Sequence, residues 1–196
     1  MGGQTRPLRA DAARKRAQVV AAAGEELADL ALAARDGEPA RLSLDRVATR
    51  AGVGIATLYR HFPTREALLE AVYHQELARL CAAAPAMADS GPADAALLAW
   101  MHRYIDFVDS KRAMGVSLRA MVASGAVTQS DTRARLTAAV AHFLDAGAAS
   151  GVIRSDVPPG DVIAAMAGAV IAADPDQQRE QTERLLALLI AGLRSR

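Results

Sequence analysis

Residues 55–62 read Ile-Ala-Thr-Leu-Tyr-Arg-His-Phe, the densest run of recognition chemistry in the 196-residue chain. Hydroxyls at Thr57 and Tyr59, an imidazole at His61, a guanidinium at Arg60 and small apolar groups at Ile55 and Ala56 stand within one short helix. Short donors such as Thr57, Tyr59 and His61 suit phosphate oxygens. Long donors and methyl-sized groups such as Arg60, Ile55 and Ala56 suit base edges in a DNA groove. Leu58 and Phe62, between them, are core residues on any reading, and Tyr59 taken alone is equally a packing tyrosine.

The elements around this run position it. Ser43 is a good N-cap for a helix over 44–51 whose Leu44, Val47, Ala48 and Ala51 share one face. Ala51-Gly52-Val53-Gly54 is a tight turn in which Gly52 permits a positive φ. The second helix, 55–61, must stop before Pro63, because the residue preceding a proline resists the helical region. Two short helices joined by a glycine-containing turn form a helix-turn-helix, whose second helix enters the major groove. Thr64 then caps a helix running to about residue 83, with Glu66 in its first turn, where the helix dipole favours an anion.

Composition agrees with an all-α chain. Alanine, the best helix former, supplies 46 residues, and aromatics are only 4%. A first helix is expected over 12–35, ended by Gly37-Glu38-Pro39, and a linker over 84–94 around Pro85, Gly91 and Pro92. Five helices follow at about 95–110, 112–124, 131–150, 159–173 and 175–194, making nine in all, four before the linker and five after it. Gly151 is a C-cap residue, and Asp174, Pro175 and Gln177 supply an N-cap, an N1 proline and a capping-box partner.

The net charge of +1 conceals an asymmetry: residues 1–65 carry +4 and residues 66–196 carry −3. Arg6, Arg9, Arg14, Lys15 and Arg16 face only Asp11 in a basic arm over 1–16, which points that end towards a polyanion. One cysteine, Cys81, excludes an internal disulfide or a zinc cluster and is expected to be a structural thiol. The N-terminus has no apolar h-region, and the longest wholly apolar stretch, 162–173, is too short to span a bilayer. A cytoplasmic location without membrane contact is expected. Glu66, Glu70 and His74 share a helical face, but that spacing without a second helix offering ligands is a solvated face rather than a metal site. No phosphate loop, catalytic triad, metal site or cofactor motif is found, so no enzyme is expected.

The segment 43–69 closely resembles the DNA-binding domain of the TetR family of bacterial transcriptional regulators, over about residues 14–75. The resemblance is densest at Val47-Ala48, Ala51-Gly52-Val53, Thr57 to Phe62 and Arg65 to Leu69. It implies phosphate contacts from Thr57, Tyr59 and His61, with Arg65 contacting phosphate where the family usually has a lysine. It also implies base reading by Ile55, Ala56 and Arg60. Gly54 stands where many members have a capping serine, so a contact from that side chain is absent here. The implied architecture is a three-helix helix-turn-helix domain over 1–63 followed by a helical ligand-binding and dimerisation domain over 64–196.

The C-terminal helices carry two further expectations. The segment 161–173 is apolar on every side, and the last helix carries a wide apolar face. Such helices are either a hairpin buried within one chain or, as expected here, meet a symmetry mate as a four-helix bundle, with Ile163, Ala167, Val170, Ile171, Leu186, Leu189, Ile190 and Leu193 at a homodimer interface. The resemblance implies the same arrangement. Trp100, Tyr104, Phe107, Met114, Leu118, Met121 and Phe143, with Met101 and Val122 beside them, form a candidate apolar pocket. A small-molecule effector is implied there by the resemblance, with His102, Arg103 and His142 as its available polar groups, though the same residues make an ordinary core. The expected function is a homodimeric repressor of a palindromic double-stranded DNA operator, released by an effector. The alternatives are an activator or ligand-independent regulator of the same fold, or a helical small-molecule-binding protein without sequence-specific DNA binding.

Overall fold

The helices that begin at Leu44 and Ile55 each follow an N-cap residue in an extended conformation, Ser43 and Gly54. The computed structural model describes residues 5–35, 41–174 and 177–195, with the side chains of 5–9 and 34–35 left aside. Among them lie ten helices: α1 (Thr5–Arg35), α2 (Leu44–Arg50), α3 (Ile55–His61), α4 (Arg65–Ala82), α5 (Ala84–Ala88), α6 (Ala93–Ala113), α7 (Val116–Ala123), α8 (Gln129–Ala149), α9 (Pro159–Ala172) and α10 (Gln178–Leu193). Nine correspond to the nine expected. The tenth, α5, occupies half of the expected linker, because proline in a first turn lacks only an N–H that has no helical partner there.

Caps account for several boundaries. Ser43 Oγ accepts from the Arg46 N–H at 3.3 Å, and Thr64 Oγ1 accepts from the Ala67 N–H at 3.1 Å. Gly151, at φ +72°, closes α8 through N–H bonds from Gly151 to Ala148 O and from Val152 to Gly147 O, the Schellman pattern. The start of the last helix differs from expectation. Its N-cap is Gln177, without a side-chain cap, and Asp174 presents its own N–H to Gln181 Oε1 at 2.6 Å. Pro175, Gly37, Glu38 and Pro39 lie outside the described residues, as do the side chains of Arg6 and Arg9. α6 runs three residues beyond expectation, because the chain turns only at Gly115, φ +55°.

The chain divides into two compact units, residues 1–76 with 108–127, and residues 77–107 with 128–196. In the first, α1, α2 and α3 pack on one another. Val19, Ala23 and Leu27 of α1, Val47 and Ala48 of α2, Leu58 of α3 and Leu68 and Val72 of α4 are buried there. In the second, α8 packs against α5 and α9, and α9 against α10. Its centre holds the Trp100 and Phe143 rings, 5.8 Å apart between centroids, and the indole N–H donates to Leu80 O at 2.9 Å. An isolated antiparallel bridge pairs Ile153 with Arg194, the one strand-like pairing among the described residues.

α9 packs between α8 and α10, and this places the residues expected at a dimer interface unequally. Ile163, Val170, Leu186, Ile190 and Leu193 are buried within this chain, because its own neighbouring helices cover that side. Ala167 and Leu189 are half-buried, and only Ile171, at 81% exposure, stands clear. The apolar surface actually open on this pair of helices is Ala164, Ala165, Gly168, Ile171 and Ala172 on α9, with Ala187, Leu188 and Ala191 on α10.

Candidate nucleic-acid interface

The turn between α2 and α3 is built from backbone bonds. The Gly52 N–H donates to Thr49 O at 3.1 Å and the Val53 N–H to Ala48 O at 3.0 Å, while Gly52 takes φ +65°, as its place in the sequence requires. Gly54 caps α3 in an extended conformation with no side-chain bond. One edge of α3 is then fixed by Leu58, with no exposed surface, and by Phe62 just beyond it. The opposite face is left outside: Ile55, Ala56, Tyr59 and Arg60 are exposed, and Thr57 and His61 are half-buried at its margins. Arg65, at the start of α4, is also half-buried. All seven residues expected at a DNA contact therefore retain accessible surface, and six of them belong to one seven-residue helix.

Within that face one side-chain bond exists. Arg60 Nη2 donates to Thr57 Oγ1 at 2.7 Å, one helical turn back. No carboxylate occurs anywhere in Gly54 to Phe62, so the guanidinium there is oriented by a hydroxyl rather than neutralised by an acid.

Five other cations near the head have partners on the protein's own surface. Arg14 and Lys15 both pair with Asp11 on α1, Lys15 at 2.8 Å, and their pull holds the Asp11 carboxyl below its ordinary range, the hydrogen bond from Lys15 leading. Arg16 lies over the Phe62 ring, 4.8 Å from its centroid. The basic arm is helical from Thr5, ahead of the helix start expected at 12, and those three of its cations are engaged on the protein's own surface.

Arg46 and Arg50 of α2 reach α1. Arg46 Nε lies 2.9 Å from Glu26 Oε1, and Arg50 contacts Asp29 Oδ2 at 2.7 Å, Glu26 Oε2 at 3.4 Å and Glu25 at 3.8 Å. The Asp29 bond leads in raising the Arg50 pKa. Sequence reasoning missed this brace. Its signal was present in acids at 25, 26 and 29 on one helix and arginines four apart on the next.

The other expected sites fare differently. Trp100, Tyr104, Phe107 and Phe143 are buried in the second unit, whereas Met114, Met121 and the half-buried Leu118 belong to the first. Val122 is 41% exposed, so it is a surface residue. His102, Arg103 and His142 are all exposed, because their helices turn those positions outward, and they do not line the Trp100–Phe143 core. His74 Nε2 lies 3.1 Å from Ala126 O, and no group of three or more metal-ligating side chains is arranged to hold an ion among the described residues. Cys81 is half-buried, and burial pushes its thiol up despite the pull of Arg135. No helix among the described residues is long and apolar enough to cross a membrane.

A capped helix, a positive-φ glycine turn and a second helix with one face anchored and one bare define a helix-turn-helix protein. The family described as bacterial regulatory proteins, tetR family, matches residues 31–72, and the family described as transcriptional regulator SbtR-like, C-terminal domain, matches residues 92–195. A TetR transcriptional regulator of Streptomyces coelicolor is 42% identical at a TM-score of 0.76, over 92% of this chain and 98% of that one. The TetR transcription regulatory protein of Mycobacterium vanbaalenii is 28% identical at a TM-score of 0.68, over 96% and 99%. The repressor SmeT of Stenotrophomonas maltophilia, 14% identical at 0.55 over 92% and 90%, shares the fold. No curated protein matches the sequence. The chain belongs to the TetR family of bacterial transcriptional regulators.

Proposed function

We propose that this regulator binds a palindromic double-stranded DNA operator as a homodimer, represses the genes beside it, and is released by a small-molecule effector. In this reading residues 1–63 read DNA, and residues 64–196 dimerise and take the effector. Two copies of α3 enter successive major grooves of the operator. The observation that carries the reading is the bare face of α3, where Ile55, Ala56, Tyr59 and Arg60 are exposed together while Leu58 and Phe62 anchor the helix from behind. Arg60, Ile55 and Ala56 read bases; Tyr59, His61 and Arg65 hold phosphates. Release requires only that the effector prefer one of two separations of the DNA-reading heads.

Footprinting on the DNA upstream of its own coding region tests this. The wild-type protein protects a palindromic segment. The double variant Tyr59→Phe with Arg60→Ala loses that protection while keeping its oligomeric state by sedimentation. Undiminished protection by the variant overturns the assignment. Wild-type binding that falls steeply with salt but prefers no sequence would mark attraction by charge alone.

A further inference from the structure

The bond between Arg60 and Thr57 assigns these two residues different tasks. A threonine hydroxyl on such a face is ordinarily read as a phosphate donor. Here Thr57 Oγ1 is an acceptor at 2.7 Å from Arg60 Nη2, and Thr57 is half-buried while Arg60 is exposed. A planar guanidinium carries five N–H donors in a fixed fork, so a bond at one nitrogen leaves other donors of the exposed group available to a ligand. Two parallel donors match the O6 and N7 acceptors of a guanine edge in the major groove, and no other base offers that acceptor pair there.

An exposed arginine on a flexible stem must lose its rotamer freedom on docking. One already oriented from the preceding turn loses less, and the gain appears only when the matching acceptor pair stands opposite it. The neighbouring arginines lack this disposition: Arg46 and Arg50 face carboxylates, and Arg16 covers Phe62.

We propose that Arg60 reads a guanine in each half-site and that Thr57 is the positioning residue holding its guanidinium for that contact, so that Thr57 acts on specificity rather than on phosphate affinity. This rests on the reading that α3 enters the major groove of an operator.

The test first selects the operator from a random duplex library with the full-length wild-type protein. Affinities are then measured for operators carrying each of the four base pairs at every half-site position, and for an unrelated duplex, across a salt series. Arg60→Ala is expected to erase a guanine preference at one position per half-site, a loss of about 5-fold or more in discrimination. Thr57→Val, which keeps the shape and removes the acceptor, is expected to lower that preference by about 2- to 10-fold. It should leave binding to the unrelated duplex and the salt slope unchanged, and Thr57→Ser should restore the preference. Circular dichroism confirms that each variant is folded.

The proposal is overturned if Thr57→Val retains full discrimination. It is equally overturned if Thr57→Val weakens the operator, its base variants and the unrelated duplex alike, the signature of a lost phosphate contact, the salt slope staying the same in either case because a neutral hydroxyl displaces no counterion. A wild-type protein that selects no sequence from the library overturns the operator reading itself, an outcome distinct from either.

Discussion

The Glu26 carboxylate, with 1% of its side chain exposed, lies 2.9 Å from Arg46 Nε, close enough for strong attraction although the N–H is not aligned for a hydrogen bond. Arg50 approaches its other oxygen at 3.4 Å. The pair of arginines on α2 therefore holds a buried carboxylate on α1 and ties the two helices together. Arg46 keeps most of its side chain in water, so the attraction is screened on that side.

Removing both arginines should strand the carboxylate. The double variant Arg46→Met with Arg50→Met is expected to lower stability by about 2–4 kcal/mol, below the full figure for a wholly buried pair because the arginines are partly solvated. Adding Glu26→Leu removes the stranded charge and should recover most of that loss. Urea unfolding of the three proteins checks it; a triple variant no more stable than the double would show that packing, not charge, was at stake.

Gly147 and Ile153 form a second close relationship, in the other unit. A Cβ at 147 would lie 2.6 Å from the Ile153 side chain, and Ile153 cannot retreat easily, since its N–H is bonded to Gly147 O at 3.0 Å and it bridges to Arg194. Gly147→Ala gains helix propensity worth about 1 kcal/mol, yet overpacking should outweigh it, for a net loss of about 1–2 kcal/mol. With Ile153→Ala already in place the same change should turn neutral or stabilising. Denaturation of the four proteins of the cycle reads the sign reversal, and an unchanged sign refutes the close approach.

Asp94 ties the start of α6 to the end of α10, accepting from Arg194 Nε at 2.8 Å. Burial alone would raise its carboxyl, but the Arg194 bond and the Ala95 N–H outweigh burial and hold it below the ordinary value. A carboxyl lowered in the folded state stabilises fully above its unfolded pKa, about 4, and that contribution is lost as pH falls through the folded value. Asp94→Asn should therefore be less stable than wild type at pH 7, by under about 1 kcal/mol given the exposure of Arg194. The gap should close as pH falls below about 4, the unfolded carboxyl value. Unfolding curves across that range decide it, and a gap independent of pH would sink the assignment.

The sequence made the head legible because its signals are local. Ser43, Gly52, Gly54, Leu58 and Thr64 each act within a few residues of themselves, through a cap, a turn or an anchored edge, and each behaves as its type and position require. What escaped depends on distance in the chain. The Glu26–Arg46 brace joins two helices, the Ile153–Arg194 bridge closes a long excursion, and the candidate pocket residues are distributed over both units. The α9 pattern was ambiguous for a related reason. A helix apolar all round reveals that it is buried, but not whether its own chain or a second copy covers each side.

That ambiguity yields the last prediction. The inner side of α9 and α10 is covered by the rest of the chain, with Leu186 and Ile190 buried, while Ile171 at 81% and Leu188 at 69% exposure stand on the outer side among alanines and Gly168. Small residues there let another helix approach closely, and in a two-fold pairing each side chain is counted twice. Burying an isoleucine or leucine contributes about 1.5–3 kcal/mol, so losing both from each of two protomers removes most of what a modest interface gains. Ile171→Glu with Leu188→Glu should therefore yield a folded monomer by sedimentation equilibrium, with unfolding close to that of a wild-type protomer and operator affinity sharply reduced. Leu186→Ala, by contrast, should lower protomer stability by about 2–5 kcal/mol through the cavity it leaves. If instead the double glutamate variant sediments as the wild type does, the outer face is not where two copies meet.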